Sequence, residues 1–351
     1  MPGLRFVVPA RGAAGPSGGD VYDARLARAW DGVHGHSHVL ALPGGWPRPG
    51  PAERRALGLA LRTPDTVVLD GLVGSACPRE VERAVDGGTR VVLLVHLPLP
   101  AEAGLPAEEA ARLAELEAAA VRAASDVVAT STWAARDLER RYGRRDVLVA
   151  VPGAEQAPLA EGSRPPHLLA LGALTAVKNQ TVLVPALAAL RDLPWEATFA
   201  GPAGAQPDVA RDLVRALADA GLSDRVALPG AVVGDGLADL WRRTDLLLLP
   251  SLVETYGLVV TEALAHGLPA LIPAGTGAVE ALTGAAGETC GPDAPGTAVD
   301  PTDPAAWERV LRRWLTSAPL REGWRAAAHA RRARLRTWAD TAADLRRGLF
   351  G

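Results

Sequence analysis

Lysine and asparagine are almost missing from this chain of 351 residues: one lysine, Lys178, stands among 37 Lys and Arg, and one asparagine, Asn179, follows it directly. Isoleucine also occurs once, as Ile272. Arginine for lysine and Val or Leu for Ile are the marks of a GC-rich genome. A residue type that this bias nearly erases is informative where it remains, and both exceptions fall in TAVKNQT, 175–181. Two cysteines, Cys77 and Cys290, exclude a disulfide framework and a zinc-cysteine cluster, so free buried thiols are expected. No apolar run approaches the ~18 residues of a membrane span. The chain enters the strand-like LRFVV at residue 4 without a signal-peptide pattern, and a cytoplasmic protein is expected. A net charge of -3 leaves no nucleic-acid footprint.

The length exceeds that of one ordinary hydrophobic core, so two domains are expected. Short apolar runs alternate with amphipathic ones. LRFVVPA (4–10), DTVVLDG (65–71), TRVVLLVHLP (89–98), SDVVATS (125–131) and DVLVAVP (146–152) read as buried parallel strands. The segments 107–124 and 132–143 have helical spacing, the second closed by Gly143. The pattern restarts with HLLALGAL (167–174), EATFAGP (196–202), RVALPGAV (225–232), TDLLLLPS (244–251) and LPALIPA (268–274), and residues 305–350 are nearly all helical. The Pro- and Gly-containing stretch 152–166 reads as the linker between two doubly wound α/β halves. Ligands bind such sheets at the carboxyl ends of the strands, so a cleft site between the halves is expected.

The densest segment is LLLLPSLVETYGLVVTEALAHGLPALIPAG, 246–275. A strand ends near Ser251, a loop carries Glu254, and Gly257 opens a helix that Gly267 closes. The first N–H groups of that helix, about Gly257 to Val259, have no helical partner and favour a bound phosphate. Glu262, in the second turn, leans back toward the same pocket as Glu254. Two carboxylates are poor anion ligands but good acceptors for hydroxyls, so a sugar and a ribose flanking a diphosphate would satisfy them both.

These residues resemble the retaining glycosyltransferases of the GT-B fold, specifically family 4, whose E-x7-E motif is matched by Glu254 and Glu262. SGGDVYDARLARA (17–29), LVHLP (94–98), SDVVATSTWAARDLERRYG (125–143), VPG (151–153), LGALTAVKNQ (171–180) and DRVALPG (224–230) agree in order along the chain. The resemblance implies two Rossmann-like domains facing a cleft. The acceptor-side domain would cover 1–153 plus a returning C-terminal helix at about 337–351, and the nucleotide-sugar domain 154–336. It implies transfer from a nucleoside diphosphate sugar to a small-molecule, saccharide or lipid acceptor, with no metal and no other cofactor. Glu262 would hold ribose hydroxyls, Glu254 the donor sugar, and Lys178 the diphosphate, where a fixed cation stabilises the leaving group more in the transition state than in the ground state. Thr175, Asn179, Val232, Tyr256, Gly257, Leu258 and Val259 complete the implied donor set. In an actinobacterial source, to which the composition points, such enzymes modify natural products, thiols, polysaccharides or lipids.

His96 closes a central strand, and the resemblance sets it beside the donor sugar as a catalytic residue with Lys178 and Glu254. Gly18 and Gly19 read either as a loop approaching a phosphate or sugar or as an ordinary turn. Ala173 and Val177 stand where many relatives carry arginine. Thr175, Asn179 and backbone N–H groups then compensate, or turnover is slow, or the chain binds a nucleotide sugar without transfer. A nucleotide-sugar epimerase is the other alternative, but its acid and base carboxylates are not legible from spacing. His34, His36 and His38 read as a polar loop rather than a metal site. The runs RRYGRR (140–145) and RRARLR (331–336) could touch anionic lipid, yet arginines at helix ends are better read as solvated.

Overall fold

The computed structural model describes residues 4–10, 17–203, 206–287 and 289–351. It divides into two compact units, Met1–Gly153 with Arg336–Gly351, and Ala154–Leu335.

In the first unit, strands β1 (Leu4–Pro9), β2 (Ser37–Leu42), β3 (Thr66–Asp70), β4 (Val91–Val95), β5 (Asp126–Ala129) and β6 (Val147–Val149) form one parallel sheet in the order β2-β1-β3-β4-β5-β6. β3 and β4 are buried along their whole length, which is why they read as unbroken Val and Leu runs. Val7, Leu69, Leu93 and Val127 anchor the core with Leu57 and Val121 from the covering helices. β2 escapes the apolar-run reading because it is an edge strand with four exposed positions, and it takes up His38 from the presumed polar loop.

The helix Trp338–Phe350 belongs to this unit. Thr341 donates to the Val151 carbonyl at 2.8 Å, Arg90 donates to the Leu349 carbonyl at 2.7 Å, and Trp338 meets Tyr22 edge-on at 5.4 Å. Gly153 must lack a side chain here, since a Cβ would stand 2.2 Å from the Trp338 nitrogen.

In the second unit, β7 (His167–Leu171), β8 (Glu196–Ala200), β9 (Val226–Gly230), β10 (Leu246–Leu248), β11 (Ala270–Pro273) and β12 (Gly296–Val299) form a parallel sheet in the order β12-β11-β10-β7-β8-β9. Its core holds Trp195, Phe199, Leu248, Trp307 and Trp314. β12 is short and begins at a glycine, too little apolar sequence to announce a strand. Residues 150–166 carry no helix or strand but are no free linker. Ala160 N–H donates to His266, Glu161 N–H to Arg242, and Ser163 N–H to the Asp245 carboxylate, all within the second unit.

Chain order reverses at one place in each sheet. In the first unit it lies between β1 and β3, and in the second between β7 and β10. At such a switch point the loops on either side diverge to opposite faces and leave a crevice at the carboxyl ends of the strands.

Arginines of the two basic runs are largely committed locally. Arg144 donates to the carbonyls of Val121, Ala124 and Ser125, and Arg332 to those of Ala157 and Ala265. Among the described residues, no helix is long and apolar enough to cross a membrane. Cys77 is buried and Cys290 only half-buried; both are free thiols.

Candidate functional site

The switch point of the second unit gathers the loop after β7 and the loop after β10. Lys178 Nζ donates to Glu254 Oε2 at 2.7 Å. Both side chains are partly covered, 31% and 12% exposed. The backbone that delivers them is cross-tied: Leu252 N–H donates to the Val177 carbonyl at 2.8 Å, and Gly277 N–H to that of Glu254 at 2.8 Å.

Asn179 is the centre of this tie. At φ 53° and ψ 32° it is the one non-glycine residue of positive φ among the described residues, a conformation that asparagine tolerates better than other side chains. Its Nδ2 donates to the carbonyls of Pro250 at 3.1 Å and Pro301 at 2.8 Å. The Asn179 amide nitrogen thus ties together the scaffold that positions Lys178. Two hydroxyls on these loops, Thr175 Oγ1 and Ser251 Oγ, are buried and have no protein partner. An unmade buried hydrogen bond costs about 1–3 kcal/mol.

Gly257 caps the helix Leu258–Ala265 from the left-handed region, at φ 91° and ψ 69°. Leu258 and Val259 follow half-buried, and Glu262 is exposed in the second turn. Tyr256 is buried, at 4% exposure. Val232 lies beyond β9, two strands from β7 in sheet order, and is half-buried.

The first unit brings together a group that no single stretch of sequence announces. His96 directly follows β4, Asp70 ends β3, and Asp23 lies on the helix Gly18–His34 that follows β1. His96 Nε2 stands 2.9 Å from Asp23 Oδ1 and 3.4 Å from Asp70 Oδ2. Asp70 Oδ1 accepts the Leu72 N–H at 2.6 Å. Burial pushes the Asp23 carboxyl up to about 7, against the pull of His96. Burial alone would lower the imidazole, but Asp23 and Asp70 outweigh it and hold His96 up to about 10. Asp70 stays below its ordinary value because hydrogen bonds from His96 and Leu72 overcome its burial.

Among the described residues these three are the group whose donor atoms lie close enough together to hold an ion, within 4.8 Å. The 2.9 Å spacing is that of a hydrogen bond, which uses the nitrogen an ion would need. Gly18 and Gly19 form the first turn of their helix, not a loop before it, with Ser17 as N-cap. A Cβ on Gly19 would stand 3.0 Å from His96 Cδ2, so the glycine permits the helix to approach the ring.

A family model described as glycosyl transferases group 1 matches residues 154–331. This chain belongs to that family. The group 1 glycosyltransferase match covers nearly the whole of the second unit. The D-inositol 3-phosphate glycosyltransferase of Salinispora arenicola is 35% identical over 158 residues, which are 43% of this chain and 34% of that relative. The chain spans about a third to just over half the length of the curated relatives it matches.

Two solved structures resemble this chain along its length. Sucrose-phosphate synthase from Thermosynechococcus elongatus gives a TM-score of 0.78 at 16% identity, covering 100% of this chain and 99% of that one. HepE of Anabaena in complex with UDP-glucose gives 0.78 at 16%, covering 99% of each. At this identity the likeness carries the fold, which is GT-B. Asp23 and Asp70 are the site residues that reading the sequence missed; the signal open to it was an acidic residue at the end of a buried strand beside His96.

Proposed function

We propose that this chain transfers a sugar from a nucleoside diphosphate sugar to an acceptor hydroxyl with retention of configuration and without a metal. The observation that carries the proposal is the Lys178–Glu254 pair, set at a switch point beside the helix start at Gly257. The donor diphosphate takes over the ammonium of Lys178 and the N–H groups of Leu258 and Val259, and Glu254 turns to the sugar hydroxyls. Glu262 holds the ribose. The acceptor hydroxyl attacks the anomeric carbon from the face the diphosphate leaves, and its proton passes to the departing phosphate oxygen, so no enzyme nucleophile is required. Charge grows on that diphosphate as the bond breaks, and the fixed ammonium and helix start act where it grows.

Relatives suggest the reagents. The Salinispora protein is named for D-inositol 3-phosphate, and HepE was solved with UDP-glucose. UDP-glucose with an inositol phosphate is therefore the first pair to test, followed by UDP, GDP, ADP and dTDP in a thermal-shift panel. A ligand at a hundred times its Kd stabilises by about 2.7 kcal/mol.

A second reading is a nucleotide-sugar binder that does not transfer. It is favoured by Ala173 and Val177, which stand where the resemblance to the family implies arginines. Incubation of the chain with donor and acceptor separates the readings: a new glycoside supports transfer, an altered donor sugar supports epimerisation, and binding with neither supports the binder.

A further inference from the structure

The trio Asp23, Asp70 and His96 is short of a proton. Both carboxyls are nearly sealed, at 5% and 4% exposure. Asp70 has the Leu72 N–H on one oxygen and His96 beside the other. Asp23 has His96 on Oδ1. Its Oδ2 is buried and receives no N–H or O–H donor, the neighbour in hydrogen-bonding range being the Asp70 carboxyl. Two ionised carboxylates beside a neutral imidazole would place two uncompensated negative charges in this interior, and one acceptor oxygen would still lack a donor. An imidazolium with one carboxylate and one carboxylic acid is neutral overall, and the acid proton gives the orphaned pair of carboxyls the donor it lacks.

We infer that His96 is held as an imidazolium by Asp23 and Asp70, which share one further proton and act as positioning residues for the ring. Asp70, bonded to a backbone N–H, is the better seat for the negative charge, and Asp23 for the proton. The directions in which burial and neighbours push the three groups agree with this division. Tyr22, from the same helix as Asp23, meets the ring edge-on at 5.0 Å with its hydroxyl committed to the Ala150 carbonyl, and adds no charge.

An imidazolium has two N–H donors and no lone pair. His96 therefore donates hydrogen bonds and contributes positive charge, and cannot take a proton as a general base. What this means for catalysis rests on the proposed glycosyl transfer; the charge assignment does not.

The test is NMR of the full chain labelled with 15N-histidine, with His96→Gln identifying the signal. The expected result is a ring with both nitrogens protonated at pH 8, becoming neutral in the double variant Asp23→Asn/Asp70→Asn. A neutral His96 at pH 8 in the unaltered chain would overturn the inference, even if the double variant fails to fold. So would a protonated ring that persists in a folded double variant. An imidazolium signature in a chain with no transferase activity would uphold this assignment and defeat the proposed reaction separately.

Discussion

The ammonium of Lys178 lies 2.7 Å from Glu254 Oε2, a contact that joins the loop after β7 to the loop after β10 across 76 residues of chain. In the reaction proposed above, an incoming diphosphate would displace the carboxylate from the ammonium and leave Glu254 for the sugar hydroxyls.

Lys178→Ala should therefore lower kcat/KM for sugar transfer at least tenfold, about 1.4 kcal/mol of transition-state stabilisation. Steady-state kinetics decides it, and unchanged activity would remove the lysine from the mechanism.

Asn179 makes a different prediction, because its amide nitrogen is bonded to two backbone carbonyls. Asn179→Ala loses two hydrogen bonds and leaves in the left-handed region a residue that tolerates it less well than asparagine, for a loss of roughly 2–3 kcal/mol. Asn179→Gly loses the same bonds but keeps the backbone relaxed. Thermal melts should rank the alanine variant below the glycine variant, by a few degrees for a unit of this size. Equal melting temperatures would mean that the backbone conformation carries none of the effect.

Gly19→Ala should separate activity from stability. Alanine in a helix is ordinarily favourable by roughly 0.5–1 kcal/mol, whereas the added Cβ, 3.0 Å from His96 Cδ2, pushes the ring aside. Melting temperature should hold or rise while turnover falls at least about tenfold, on the expectation that His96 stands beside the donor sugar, where small displacements are costly. A variant of full activity would mean that the position of His96 is uncritical.

Stability should decline as pH rises from 7 to 9. The folded state keeps a proton on His96 up to about 10 against an ordinary 6.5, so its contribution is complete below about 6.5 and is lost as pH climbs toward 10. Asp23, held up to about 7, loses its contribution between about 4 and 7. His167, pushed down to about 4 by burial, acts in the opposite sense below 6.5; above 7 the thiols of Cys77 and Cys290, pushed up by burial, add their own loss, so the comparison with His96→Gln isolates the histidine. Melts of the unaltered chain and His96→Gln at pH 7 and 9 check this. The unaltered chain should lose more, and parallel losses would contradict it.

The two sites were legible to very different degrees. Lys178 stood out by rarity, and Glu254, Gly257 and Glu262 lie within one loop and helix, so their proximity follows from local geometry. Asp23, Asp70 and His96 come from three segments, and Asp23 and His96 are 73 residues apart. Only the order β2-β1-β3-β4 brings them to one end of the sheet. Asn179 was legible as unusual but not as a staple, because its partners Pro250 and Pro301 are distant carbonyls that leave no mark in composition. Ten of the strands were apparent from apolar runs, although β6 and β9 are partly exposed edge strands and not buried ones; β2 and β12 were not, one exposed at an edge and one only four residues long.

The most direct measurement is a crystal structure of the chain soaked with UDP-glucose. The diphosphate should lie within hydrogen-bond distance of Lys178 Nζ and the Leu258 and Val259 nitrogens, with Glu254 turned onto the sugar. A lysine still paired to Glu254, with the nucleotide bound elsewhere or not at all, would contradict the proposal.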